Sequence, residues 1–181
     1  LWGASALSQL HLELTQGLLG LQPDAWLGYS SGETNALVGA GVWRDPDALM
    51  AEMTESGLVT HLLGGEFSAV QSLWQRPVHW ASWTVLAPVA HVRAALVGIE
   101  RVHLAIINSD ADCLIAGEES GCSEVVRRIG ANRCLRLIYP LAVHVPELDA
   151  VAAQWLALHH RHCHLPRTGK IYSTAFARSY T

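Results

Sequence analysis

A serine set between two glycines, Gly28-Tyr29-Ser30-Ser31-Gly32-Glu33, is the segment of this chain whose residue types best suit chemistry. It follows a short apolar stretch, Ala25-Trp26-Leu27, and precedes helix-like spacing from Thr34 to Val42. A serine at such a strand-to-helix turn matches the nucleophile-elbow pattern. The turn is expected to be too tight for side chains at Gly28 and Gly32. It lifts the Ser30 hydroxyl above the sheet edge, toward the positive end of the next helix. The Ser31 backbone N–H is then placed to stabilise an oxyanion. The implied chemistry is acyl transfer through a serine ester.

The elements that must carry this turn are legible on both sides of it. Ala25 to Gly28 reads as a short buried strand, and the helix after the elbow is lined with small residues, Ala36, Gly39 and Ala40. Upstream, Leu7, Leu10, Leu14 and Leu18 recur at helical spacing, with Gly20 as a C-cap. Pro46 stands near the first position of a helix expected over Asp47 to Ser56. Val59 to Phe67 is mixed and ends in a Gly64-Gly65 hinge. From Trp80 to Pro140 the pattern gives strand (Trp80–Val85), helix (Ala87–Val97), strand (His103–Asn108), strand (Cys113–Gly117), helix (Ser120–Gly130) and strand (Cys134–Ile138). That β-α-β-β-α-β order is the ferredoxin-like motif. Beyond His144 a helix is expected through Leu158, and Ile171 to Thr174 is expected to return to the main sheet.

Composition narrows the classes. The 181 residues suffice for one domain with a sizeable core. Half are hydrophobic and the mean hydropathy is +0.21, yet no uninterrupted apolar stretch reaches membrane-spanning length. A net charge of −4 argues against nucleic-acid binding. The cysteines Cys113, Cys122, Cys134 and Cys163 show no C-x-x-C spacing, which suits a reduced, cytoplasmic chain with unpaired thiols. The tryptophans read as core or interface filler, with an aromatic substrate channel as the alternative. Leu1 to Ser8 lacks a basic leader and reads as mid-helix, so the chain looks like an excerpt that begins inside a domain.

Several segments together resemble a known family. Gly20-Leu21-Gln22-Pro23-Asp24, leading into Gly28-Tyr29-Ser30-Ser31-Gly32-Glu33, resembles the Gly-x-x-Pro-Asp lead-in and Gly-His-Ser-x-Gly-Glu elbow of acyl-carrier-protein acyltransferases. These are the malonyl-transferase-like domains of fatty-acid and polyketide synthases. Ala105-Ile106-Ile107-Asn108-Ser109 resembles the family's apolar strand ending in Asn-Ser/Gly, and Cys113-Leu114-Ile115-Ala116-Gly117-Glu118 its next strand. Leu141-Ala142-Val143-His144-Val145-Pro146 resembles the catalytic-histidine segment, and Ile171-Tyr172-Ser173-Thr174 the strand that follows. The tyrosine variant of the elbow, with Gly41-Val42-Trp43, looks most like acyltransferases of polyunsaturated-fatty-acid and related iterative synthases.

The resemblance implies an α/β-hydrolase-like large subdomain, incomplete in this chain, with an inserted ferredoxin-like small subdomain. The boundaries so drawn are 1–66, 67–140 and 141–181. It implies a Ser30–His144 dyad, His144 acting as base and then acid, and Ser31 as an oxyanion donor. No cofactor is bound directly; CoA and the phosphopantetheine arm of an acyl carrier protein enter as substrates. Acyl-CoA, the carrier protein and other synthase domains are the implied partners. Three departures bear on the substrate. Tyr29 replaces the family's histidine. Between Gly41 and Gly64 the only arginine or lysine is Arg44, and Glu55 and Ser56 stand near the site of the family's carboxylate-binding arginine. Leu141 and Val143 make the wall before His144 more apolar than either common specificity tetrapeptide. Together they favour an uncharged acyl group over malonyl. A thioester hydrolase with the same dyad and a degenerate scaffold are the alternatives.

Two further clusters have plain readings beside functional ones. Arg127, Arg128, Arg133 and Arg136 form either a solvated face or a dock for an acidic carrier protein. His159-His160-Arg161-His162-Cys163-His164 has spacings that suit no usual tetrahedral zinc framework, and no metal is expected there.

Overall fold

The computed structural model describes residues 2–180. In chain order it runs α1 (Trp2–Glu13), β1 (Ala25–Leu27), α2 (Ser31–Gly39), α3 (Pro46–Glu55) and α4 (Ser68–Trp74). Then come β2 (Trp80–Val85), α5 (Val89–Leu96), β3 (Val102–Ser109), β4 (Asp112–Glu118), α6 (Glu119–Ile129) and β5 (Cys134–Arg136). The last are α7 (Ala152–His159), β6 (Lys170–Ser173) and β7 (Arg178–Ser179). The class is mixed α/β. Two compact units emerge, Leu1–Glu52 with Leu158–Thr181, and Met53–Ala157. The boundaries at 66/67 and 140/141 follow the strand motif, whereas these units break within α3 and α7.

In the first unit β1 pairs in parallel with β6, Trp26 opposite Ile171, and β6 pairs antiparallel with β7. Trp26, Ala36, Ala40, Val42, Trp43, Leu49 and Ile171 form its core, with Leu12 of α1 packed against them. The expectation of a buried β1 is corrected: Trp26 is 8% exposed, but Leu27 is 69% exposed. Alternate strand side chains point to opposite faces, and one face of β1 is packed. The expected leucine helix is present, but Leu14–Leu18 widens into a π-helical turn, closed by Leu19 N–H on Leu14 O at 3.1 Å. Thr15 Oγ1 donates to His11 O at 2.7 Å, a back-bond that bends helices, and Gly17 lies within the same turn.

The second unit holds a four-stranded sheet in the order β3-β4-β2-β5, with each neighbouring pair antiparallel. Ala81 and Val85 of β2, Cys113 and Ile115 of β4, Val92 and Ala95 of α5, and Cys122 and Val125 of α6 share one core. Helix α4 was not anticipated. It brings Trp74 onto Trp80 (ring centroids 5.7 Å apart), with Phe67 stacked on Trp80 at 5.9 Å. The helix expected after His144 begins instead as a 3₁₀ turn, Pro146–Val151, and becomes α-helical only at Ala152. Glu147, 4% exposed and bonded to His103, lies on that tighter turn. Among the described residues no helix is long and apolar enough to cross a membrane.

Candidate active site

Strand β1 stops at Leu27 and α2 starts at Ser31, so Ser30 occupies the turn between them. Its backbone sits at φ 54° and ψ −120°, outside the regions a residue with a side chain prefers. Such conformations cost about 1–3 kcal/mol and persist only where the surroundings enforce them. Here Gly28 does so. A Cβ at Gly28 would fall 1.9 Å from Gly32 O and 2.3 Å from Glu33 N, so only glycine lets strand and helix approach this closely. The same expectation for Gly32 is corrected, because a Cβ there meets nothing within 4 Å. The crowding is one-sided: the Gly28 Cα faces the helix start, and position 32 points away from it. Gly32 N–H donates to Tyr29 O and Glu33 N–H to Ser30 O, both at 2.9 Å. Neither bond uses the Ser31 N–H, the expected oxyanion donor. Tyr29, Ser30 and Ser31 are all exposed.

Glu33 was not singled out from sequence. The Tyr180 hydroxyl donates to its Oε1, and Thr174 Oγ1 donates to its Oε2 at 3.4 Å. Burial, and then the Glu33 acceptor, push the Tyr180 hydroxyl above its usual pKa. The elbow helix is thereby tied to the β6–β7 end of its unit. An acid three residues after the candidate nucleophile was the available signal.

In the other unit, His144 also carries a positive φ, 60°. The His144 ring is exposed on one side, and desolvation of the rest lowers its pKa below the ordinary 6.5, which favours the neutral imidazole. Ala142, fully buried, donates its N–H to Leu63 O at 2.8 Å. Leu141 Cδ2 lies 2.7 Å from where a Cβ on Gly64 would stand, so Leu141 is seated on the Gly64 turn. Val143 is half-buried. Glu55 is exposed at the end of α3. Ser56 Oγ donates to Met53 O at 2.8 Å and accepts from Leu58 N–H at 3.2 Å, so its hydroxyl serves the helix end.

The basic patch is largely paired. Arg127 grips Glu124 through Nε (2.8 Å) and Nη2 (2.7 Å), and Arg128 Nε reaches the same carboxylate at 2.8 Å. These bonds bring the Glu124 carboxyl down to about 2. Arg136 lies 2.5 Å from Glu119, and Arg133 is exposed. Among the described residues, no group of three or more His, Cys, Asp or Glu side chains is arranged to hold a metal. His162 and His164 meet edge-on at 4.6 Å, and His159 packs against Trp43 at 6.1 Å. Cys113 and Cys122 are buried, and desolvation pushes the Cys122 thiol up to about 12.

A serine held in this way between strand and helix has the geometry of a nucleophile elbow in an α/β protein. Comparison with known proteins narrows it. No protein-family model matches the chain. Over 134 residues it is 30% identical to a phenolphthiocerol/phthiocerol polyketide synthase polypeptide of Mycobacterium bovis, covering 73% of this chain and 6% of that protein. The acyltransferase domain of phenolphthiocerol/phthiocerol synthase A from Mycobacterium bovis (BCG) superposes with a TM-score of 0.70 at 26% identity, covering 94% of this chain and 60% of that one. A type II polyketide-synthase malonyl-transacylase, solved with its acyl-carrier protein, shares the fold with a TM-score of 0.75 at 19% identity, over 98% of this chain and 56% of that one. The chain thus spans a small part of its curated relatives and between 38% and 60% of the length of the solved neighbours. In sequence and in fold it is similar to the acyltransferase domains of polyketide synthases.

Proposed function

We propose that this chain is an acyltransferase domain of a fatty-acid or polyketide synthase, with Ser30 as nucleophile and His144 as general base and acid. The observation that carries the reading is the strained Ser30 backbone, enforced by Gly28 at a strand-to-helix turn. In the first half-reaction the Ser30 oxygen attacks the thioester carbonyl while its proton passes to His144. The Ser31 N–H donates to the developing oxyanion. The C–S bond breaks, and the leaving thiolate takes the proton from His144. The carrier's phosphopantetheine thiol then attacks the Ser30 ester by the same steps, and Ser30 is reprotonated.

The acyl group is read as uncharged, since no arginine stands at positions 55 and 56 and the wall residues Leu141 and Val143 are apolar. Tyr29, exposed next to Ser30 in sequence, is read as a further determinant of acyl choice. Residues 67–140 are read as the ferredoxin-like small subdomain, on the strand order within them. The exposed faces of Arg127, Arg128, Arg133 and Arg136 are the proposed carrier dock. A cytoplasmic multienzyme, of the polyunsaturated-fatty-acid or iterative type, is the proposed setting. Loading with a panel of acyl-CoAs, followed by a carrier-protein chase, tests the assignment. Transfer to the carrier supports it, and release of free acid alone would make the protein a hydrolase.

A further inference from the structure

The second unit holds a buried carboxylate that the transfer chemistry does not use. Glu147 is 4% exposed, and its Oε1 lies 3.0 Å from His103 Nε2. Oε2 makes no full hydrogen bond among the described residues, and the Trp74 side chain is a further polar neighbour that favours the anion. A buried carboxylate is retained at a cost unless it is paired, so the bond to His103 is not incidental. Glu147 stands three residues after His144, on the first turn of the 3₁₀ segment Pro146–Val151. His103 lies on β3, at the edge of the four-stranded sheet. On the other side of His144, Ala142 is fixed by its bond to Leu63 O at 2.8 Å. His144 itself is held at φ 60°, a conformation that relaxes unless its flanks are clamped.

We propose that Glu147, through His103, is a positioning residue: it clamps the segment that carries His144 to strand β3. The inference rests on His144 being the base of the proposed transfer.

The test uses the full-length protein and the variants H144A, E147A, H103A and H103Q. Loading from acyl-CoA is followed together with the His144 ring pKa by NMR. E147A and H103A are expected to slow loading on the order of tenfold with the KM for acyl-CoA unchanged. In both, the His144 pKa is expected to shift up toward 6.5, because the partial desolvation of this exposed ring depends on its segment being held in place. H103Q keeps an N–H donor for Glu147 and is expected to restore most of the rate. The double variant E147A/H103A is expected to be no slower than E147A alone. Wild-type loading rates and an unmoved His144 pKa in folded H103A overturn the clamp. Undiminished loading by H144A instead overturns the base assignment, whatever the His103 variants do.

Discussion

Ser30 and His144 share one backbone trait, a positive φ on a residue with a side chain, and they are held there by different means. At Ser30 the restraint is local. A Cβ on Gly28 would stand 1.9 Å from the backbone of Gly32, and two hydrogen bonds close the turn within the five residues Tyr29 to Glu33. At His144 the restraint comes from far along the chain. Leu63 anchors one flank and His103 the other. A locally built turn tolerates distant change and fails at one glycine, whereas a clamped segment depends on residues no motif contains.

The largest effect expected separates the two glycines of the elbow. Gly28→Ala drives a methyl into backbone and should cost about 4 kcal/mol or more, or prevent folding. Gly32→Ala enters open space within α2 and should leave stability unchanged or raise it by about 0.5–1 kcal/mol. Urea midpoints decide the matter, and equal losses from both would break the picture of a one-sided turn.

Next in size is the pH profile of acyl loading. Burial depresses the His144 pKa, so the neutral base persists below the ordinary 6.5. Loading should be full above its lowered pKa and lost as pH falls through it. An acid limb at 6.5 would show a fully solvated ring, and one centred above 6.5 would show an anion or acceptor holding the imidazolium, against this reading.

Charge reversal at Arg127 and Arg128 should have a smaller effect, because both side chains already spend charge on Glu124. R127E/R128E should raise the KM for carrier protein by about threefold to tenfold, with loading from acyl-CoA unaltered. Equal changes in both half-reactions would remove the docking role. Smallest is the thiol pattern: exposed Cys163 should react with iodoacetamide in the native protein while Cys113 and Cys122 stay unlabelled. Rapid labelling of Cys122 would mean that the second unit opens readily.

What could be read from sequence follows the same division. The elbow was legible because six consecutive residues determine it, and the strands and helices of residues 80–136 because their periods change at turns. The sense of crowding at Gly32 was not, since a Gly-x-x-x-Gly pattern does not say which Cβ faces backbone. The buried strand at β1 was misjudged because three apolar residues do not reveal that one face is packed. Helix α4 was missed, since its anchors are Trp80 and Phe67 rather than a clean apolar stripe. The bond between His103 and Glu147 joins residues 44 positions apart and has no local signature. The hydroxyl of Ser56, which stands near the site of the family's carboxylate-binding arginine, is bonded to the end of α3.

Every step of the proposed transfer passes through an acyl ester on Ser30. Intact-mass analysis of the full-length protein after incubation with acetyl-, longer acyl- and malonyl-CoA, with Ser30→Ala as control, tests it most directly. A stable adduct is expected from an uncharged acyl-CoA, mapped to Ser30, weaker or absent with malonyl, and lost in the variant. An adduct that survives in Ser30→Ala, or none from any thioester, would contradict it.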